Sequence, residues 1–358
     1  MPRSELDELV ATVVSPDDGD TAAASTRAHL DSLAKPPGAL GRLETAIVQL
    51  ARIQNRSRPE IGQAALWLFA ADHGIALEGV TAWPQSVTGA MLATFAAGEG
   101  AINQLCRENG MAFTAVNAGV AEPPPGSTHL DAAVGPGTAS FLHGPAMSRD
   151  QARTTLLRGA TLLHEADKRI GVVGFGDMGL GNTSAASLLT HCLTGVALNE
   201  CIGPGAGLDA DGVQRKRRVL ADALATNGRP DDPFSMLATY GGFEIGMITG
   251  AALAAAADRR LILVDGFIAT TGVALAIRLA PAVREYCLFT HRGAEPGHAH
   301  LLEMLSATPL MTLDLCLGEG AGCPLALPLI RSALACRDGM ANIDGALARS
   351  APDAGQGR

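Results

Sequence analysis

A chain of 358 residues exceeds one average domain but falls short of three, so one large domain with a smaller appendage is expected. Its composition, 47% hydrophobic and 18% charged with 42 glycines against nine Phe, two Trp and two Tyr, suits an Ala/Gly/Val-rich α/β protein and excludes overall disorder. A formal net charge of -9 excludes a general nucleic-acid or membrane-surface binder, because phosphate affinity then needs a basic field that this chain can supply only locally.

In chain order, the first 60 residues predict helices at 5–14, 21–34 and 41–55, separated by the turn chemistry of SPDDGD and KPPG, and no strand. Acids in MPRSELDELVATVV stand where a signal peptide needs a basic start, so a protein that is not secreted is expected. Short apolar runs then alternate with longer helical patterns: AALWLFA from Ala64, MAFTAV from Met111, RIGVVGF from Arg169, LILVD from Leu261 and YCLFT from Tyr286. That alternation predicts a mostly parallel sheet covered by helices, among them 148–168, 184–193, 212–225 and 245–258. The last is so rich in Ala and Gly that tight packing between neighbours is expected, and its uncharged run is too short to cross a bilayer. The end of the chain, SAPDAGQGR, is expected to fray.

Each apolar run ends in a small, polar or glycine-rich segment, with Asp72, Asn117, Asp177, Asp265 and His291 at or just beyond the strand ends. In open parallel sheets ligands bind beyond the carboxyl ends of strands, so the five loops point to one shared site. Cys106, Cys192, Cys201, Cys287, Cys316, Cys323 and Cys336 are odd in number and scattered, unlike a disulfide framework or paired zinc ligands, which points to a reducing, cytoplasmic setting.

Several segments can carry chemistry, and each has a plainer reading beside it. GFGDMGLGNTS at 174–184 offers backbone N–H groups and a helix N-terminus to an anion, a dinucleotide or simply a tight turn; no ribose-binding acid is evident at the end of the next strand. GPGAGLD at 203–209 leads into a helix bearing Arg215, Lys216, Arg217 and Arg218, which is either a phosphate cradle with Lys216 as its point charge or a solvated basic face. Glu319 lies between glycines after the strand-like run DLCLG and is either a base held against apolar walls or a solvated turn residue. HRGAEPGHAH gathers His291, Glu295, His298 and His300 without the spacing of a helical metal pair, so a polar loop is preferred over a metal site. Trp83 in ADHGIALEGVTAWPQSVT is either a stacking surface for a flat ligand or core packing.

Taken together these segments resemble the nicotinate-nucleotide:dimethylbenzimidazole phosphoribosyltransferases of cobamide synthesis. The likeness runs through KPPGALGRLE at 35–44, ADHG with EGVTAWPQSVT, GTASFLHGPAMS, GFGDMGLGNTS, GPGAGLD, VDGF, HRGAEPGHAHLL and LGEGAGCPLALPLI, in that order over almost 300 residues. It implies a large Rossmann-like α/β catalytic domain at 61–300 with flanking helices. A small helical domain would be built from both chain ends, 1–60 and a segment at 301–358 that carries the GEGAG loop. It further implies a homodimer, nicotinate mononucleotide and a benzimidazole as substrates, and no cofactor or metal.

Carried over residue by residue, Glu319 is the catalytic base; Gly176, Gly179, Gly181, Asn182 and Thr183 form the nucleotide loop; Gly205, Gly207 and Lys216 lie at the phosphate; Thr81 and Leu317 stand beside the aromatic base. Asp177 binds substrate where the family often has Glu, while Gly89 and Gly293 replace positions that in relatives can be Gln and Ser. From the residues alone, the alternatives are an NAD(P)-dependent oxidoreductase and a catalytically silent nucleotide sensor.

Overall fold

The computed structural model describes residues 5–16, 21–126 and 128–350, so most of SPDDGD and of the terminal SAPDAGQGR lies outside the described residues. The chain divides into two compact units, Met1–Ser15 with Gly62–Ala326, and Pro16–Ile61 with Leu327–Arg358. The larger unit thus takes in residues 62–300 of the expected 61–300 domain together with 1–15 and 301–326. The first helix, Glu5–Thr12, packs on helices Arg149–His164 and Phe243–Ala257, and the Val14 carbonyl accepts the Tyr286 hydroxyl at 2.9 Å. At the other end, Gly320 and Gly322 are hydrogen-bonded to Asp265, which draws the GEGAG loop into the sheet-bearing unit.

In the smaller unit, helices Thr21–Ser32 and Arg42–Gln54 contribute Leu30 and Ile47 to a core shared with Leu33 and Ala333. The KPPGALGRLE motif is structural here. Glu44 is 1% exposed, and its carboxylate meets Lys35 Nζ at 2.8 Å and the Leu40 N–H at 3.0 Å. Burial pushes the Glu44 carboxyl up, but Lys35 and Leu40 outweigh it and bring it below the usual range.

In the larger unit six strands form one sheet: β1 Gln63–Ala71, β2 Ala112–Gly119, β3 Leu130–Asp131, β4 Ile170–Met178, β5 Leu261–Val264 and β6 Cys287–Phe289. All pairs are parallel and the order is β3-β2-β1-β4-β5-β6, the arrangement of a doubly wound Rossmann-like sheet. Five strands grow from the apolar runs; β1 and β5 read as unbroken hydrophobic stretches because helices cover both faces. The two-residue β3 is exposed and has no such run. Residues 312–318 form no strand. They run alongside the His291–Ala294 segment with isolated bonds, including Ala294 N–H to the Leu315 carbonyl at 3.3 Å, and leave Leu313 and Leu317 exposed.

Helix Arg149–His164 opens with a capping box, in which Ser148 Oγ accepts the Gln151 N–H at 3.1 Å and Gln151 Oε1 accepts the Ser148 N–H at 2.9 Å. It lies directly against Phe243–Ala257, whose Gly246 and Gly250 meet Thr155 and the Leu156 backbone. Among the described residues, no helix is long and apolar enough to cross a membrane.

Because a Cβ at Gly250 would overlap the Leu156 carbonyl, Gly250→Ala is expected to destabilise the fold by about 1–3 kcal/mol through overpacking. Gly339→Ala, where no atom lies within 4 Å of the added methyl, should be tolerated. Urea midpoints of the two variants check this, and an unchanged midpoint for Gly250→Ala would contradict the contact.

Candidate active site

The strand order reverses at β1 and β4, and loops following strands converge at their carboxyl ends. A cavity of about 150 Å³ is lined by Asp177 to Leu180, Asn182 and Thr183 at and after the end of β4, by Gly205 and Ala206, by Gly266 to Ile268 after β5, by His291 and Gly293 to Glu295 after β6, and by Leu315 to Gly318. Helices Asn182–Thr194 and Phe267–Leu279 begin at this cavity, so two helix N-termini offer it their partial positive charge. Gly181, with φ 97°, makes the sharp entry to the first of these helices.

Acids gather on one side. Asp177, near the end of β4, accepts Asn182 Nδ2 at 3.1 Å. Burial, reinforced by the charges of Asp265, Glu244 and Glu319, holds its carboxyl well above the usual range against the opposing Asn182 amide. Asp265 follows β5 directly, is fully buried, and accepts the Gly320 N–H at 3.1 Å and the Gly322 N–H at 2.7 Å. His291 Nδ1 lies 3.6 Å from Asp265.

Glu319 sits in a turn whose three successive residues Gly318, Glu319 and Gly320 have φ of 72°, 62° and 84°. A glutamate in the left-handed region is strained by about 1 kcal/mol or more. Its carbonyl lies against Gly176, where any side chain would collide with it. Glu319 is 7% exposed; one carboxyl oxygen meets the N–H of Ile102, and the other is buried with no hydrogen-bond partner among the described residues. Burial, with the Asp265 charge adding to it, pushes this carboxyl up to about 7 against the opposing Ile102 N–H. Gly318 lines the cavity, so the turn stands at its wall.

Behind Thr183 and the Gly205 turn lies a buried lysine. In helix Ala210–Asn227 the buried positions Gly212, Lys216 and Leu220 recur every four residues, which turns Lys216 inward while Arg215 and Arg218 face solvent. Lys216 Nζ donates to Thr183 Oγ1 at 2.9 Å and to the Gly203 carbonyl at 3.2 Å. Burial lowers its ammonium to about 8, with Glu295 opposing the shift. Glu295 Oε1 accepts the Gly205 N–H at 2.8 Å, and its other oxygen has no partner among the described residues.

The structure thus brings Asp177, Gly179, Asn182, Thr183, Gly205 and Leu317 to the cavity, with Gly176 and Gly181 as the backbone that shapes it. Lys216 reaches it through Thr183. Gly207, with φ 101°, is exposed outside the lining, and Thr81 is half-buried with its hydroxyl donating to the Trp83 carbonyl at 2.8 Å. Trp83 is 57% exposed rather than core, and its indole N–H donates to the Ala206 carbonyl at 3.1 Å. Gly89 belongs to a separate cavity of about 90 Å³ with Asp72 and Gln85, and the Glu122 carbonyl leaves it no room for a side chain.

Sequence reasoning assigned no role to the buried pair His73 and Glu244, where His73 Nε2 donates to Glu244 Oε1 at 2.6 Å, nor to the hydrogen bonds of Asp265. In the HRGAEPGHAH loop, His298 is instead a buried neutral acceptor for the Gly293 N–H, lowered to about 3 by burial. No group of three or more His, Cys, Asp or Glu among the described residues is arranged to hold a metal.

A doubly wound sheet with a buried lysine and buried carboxyls gathered at its switch point suits a nucleotide-handling transferase, and a profile described as phosphoribosyltransferase matches residues 15–347. The nicotinate-nucleotide–dimethylbenzimidazole phosphoribosyltransferase of Aromatoleum aromaticum is 48% identical over 333 residues, 92% of this chain and 96% of its own. That of Cupriavidus taiwanensis is 49% identical over 322 residues, 89% of this chain and 93% of its own. The crystal structure of CobT from Thermus thermophilus superposes with a TM-score of 0.86 at 40% identity, covering 91% of this chain and 98% of that one. The chain belongs to the nicotinate-nucleotide–dimethylbenzimidazole phosphoribosyltransferase family.

If the Lys216 ammonium and the adjacent N–H groups hold an anion, inorganic phosphate should raise the melting temperature of the wild type. Lys216→Met should weaken that phosphate binding by about 1.5–3 kcal/mol, the worth of a charge-assisted contact. Equal phosphate stabilisation of both proteins would remove Lys216 from the cradle.

Proposed function

We propose that this enzyme transfers the phosphoribosyl group of nicotinate mononucleotide to 5,6-dimethylbenzimidazole or a related base, giving α-ribazole 5'-phosphate and nicotinate for the nucleotide loop of cobamides. The observation that carries the reading is the pairing, in a member of this family, of buried Lys216 on Thr183 with Glu319, whose carboxyl is pushed up to about 7 by burial.

In nicotinate mononucleotide the ring nitrogen is cationic. Breaking its bond to the ribose carbon returns the electron pair to the ring and leaves positive charge developing on the sugar. The pyridine-type nitrogen of the acceptor attacks the same carbon from the opposite face, which converts a β-linked nucleotide into an α-linked one. The acceptor's other N–H then becomes acidic, and Glu319 takes that proton. The geometry supports this division of labour: phosphate at Thr183, Gly205 and Lys216, with Gly176, Gly179, Gly181, Asn182 and Gly207 shaping the loops that hold the donor. Asp177, whose carboxyl is pushed well up by burial and which lines the cavity, is assigned to the donor's ribose. Leu317, half exposed at the cavity, and Thr81 are assigned to the face of the acceptor base.

Orientation of donor and acceptor in a dry cleft supplies the larger part of the acceleration, and general-base catalysis about 10²- to 10⁴-fold. The enzyme is assigned to the cytoplasm, supported by seven cysteines that are all free, and to a homodimer, supported by the family resemblance alone.

Glu319→Gln keeps size but cannot accept the proton, so kcat should fall about 10²- to 10⁴-fold while donor binding changes little. A base works only when ionised, so the wild-type rate should decline as pH falls below about 7 and this limb should vanish in the variant. Steady-state nicotinate release against pH checks both, and near-wild-type turnover by folded Glu319→Gln would move the base elsewhere, with Asp177 the next candidate.

Acceptor scope follows from Gly293, which lines the cavity where relatives can carry a polar side chain; Gly89, in a separate cavity, does not bear on it. With fewer hydrogen-bonding groups to leave unpaired, competition between dimethylbenzimidazole and benzimidazole should show a preference far below the ~10⁴-fold typical of polar recognition. A preference of that size would contradict it.

A further inference from the structure

Asp265 touches neither of the groups that the transfer chemistry uses, yet it is fully buried at the end of β5. Its two carboxyl oxygens are spent on one short turn: Oδ2 accepts the Gly320 N–H at 3.1 Å and Oδ1 the Gly322 N–H at 2.7 Å. The turn's residues 318, 319 and 320 all have positive φ, so the peptide N–H groups that follow point inward as an anion-binding concavity. The ligand of this concavity is a side chain of the same protein. Strained backbone of this kind persists only where the surroundings over-determine it.

We propose that Asp265 is the positioning residue for Glu319: its buried carboxylate fixes the turn at residues 318–322, and with it the place and the charge environment of the base. This rests on the transfer reading above. Without those two acceptors, the strain at Glu319 has less to hold it, and the turn is free to relax away from Gly176, against which the Glu319 carbonyl is packed.

The groups facing this pair are few. Glu319 meets the Ile102 N–H at the start of helix Ala101–Glu108, Asp265 beyond β5 and Asp177 on β4. Asp265 meets His291 beyond β6 and the N–H groups of Gly266, Gly320 and Gly322, with the Cys323 thiol nearby. Among these, the Asp265 charge is the one that favours the protonated form of Glu319, and the Ile102 N–H opposes it. Removing the Asp265 charge therefore lowers the proton affinity of Glu319.

Asp265→Asn preserves shape but sets an amide NH₂ against a peptide N–H and removes the charge. Nicotinate release by wild type and variant, measured along the acid limb with donor and acceptor varied, is the test. The variant's kcat is expected to fall by about a hundredfold, the loss that a displacement of ~1 Å imposes, with KM for the donor changed far less. Its acid limb moves to lower pH than the wild type's. Wild-type kcat, or a loss of kcat with the limb unmoved, overturns the proposal, the second because a merely structural defect has that signature.

Should Asp265→Asn fail to fold, hydrogen exchange in the wild-type protein decides. Gly320 and Gly322 amides protected as strongly as those of β5 support the clamp, and exchange as fast as an exposed turn overturns it. If the wild type releases no nicotinate, the transfer reading fails, while the same two amides still report whether Asp265 holds the turn.

Discussion

Five carboxyl groups, Asp72, Asp177, Glu244, Asp265 and Glu319, are buried in the sheet-bearing unit within reach of its carboxyl edge, each 7% exposed or less. Burying a carboxylate without compensation costs several kcal/mol, so each must be hydrogen-bonded, paired or protonated. Asp72 accepts the Ala121 N–H at 2.8 Å, Glu244 accepts His73, and Asp265 accepts its two turn amides. Asp177 accepts one Asn182 amide and Glu319 one Ile102 N–H. Burial raises the proton affinity of both, as it does for Asp72 and Asp265; of the five, Asp177 lines the cavity and Glu319 follows Gly318 at its wall.

The same edge is electrically polarised across the cavity. Acids from β4, β5 and the turn at 318–320 gather on one side, Asp177 and Asp265 beside the helix N-termini at Asn182 and Phe267, while buried Lys216 with Glu295 lies at the Gly203–Gly205 turn. A nicotinate mononucleotide has the matching polarity, with an anionic phosphate at one end and a cationic glycosidic linkage at the other. Charge developing on the ribose in the transition state would form beside the acids, where a fixed negative field stabilises it without reorganisation. The parallel sheet makes this arrangement possible because every strand delivers its following loop to the same edge.

Much of this was legible in the sequence, and for identifiable reasons. Strands β1, β2, β4, β5 and β6 are buried on both faces, so they appear as apolar runs; β3 is two exposed residues and leaves no trace. Lys216 stood in a basic run that reads equally as a solvated face, and only its four-residue spacing from Gly212 and Leu220 marks it as inward. Asp265 was visible as an acid after LILV, but its partners lie 55 and 57 residues further along, a distance that local pattern does not bridge. DLCL alternates like a strand but finds no neighbouring strand to pair with beyond isolated bonds. Trp83 is held by its indole N–H on the Gly205–Gly207 turn rather than by burial, a contact 123 residues away.

The most direct measurement of the central claim is the identity and stereochemistry of the product formed from nicotinate mononucleotide and 5,6-dimethylbenzimidazole by the purified protein. The account predicts equimolar nicotinate and a dimethylbenzimidazole ribotide whose anomeric proton and through-space contacts assign the α configuration. A β-linked ribotide would contradict attack opposite the departing nicotinate, and a protein that binds the mononucleotide yet releases no nicotinate in the presence of the base would contradict the transfer itself.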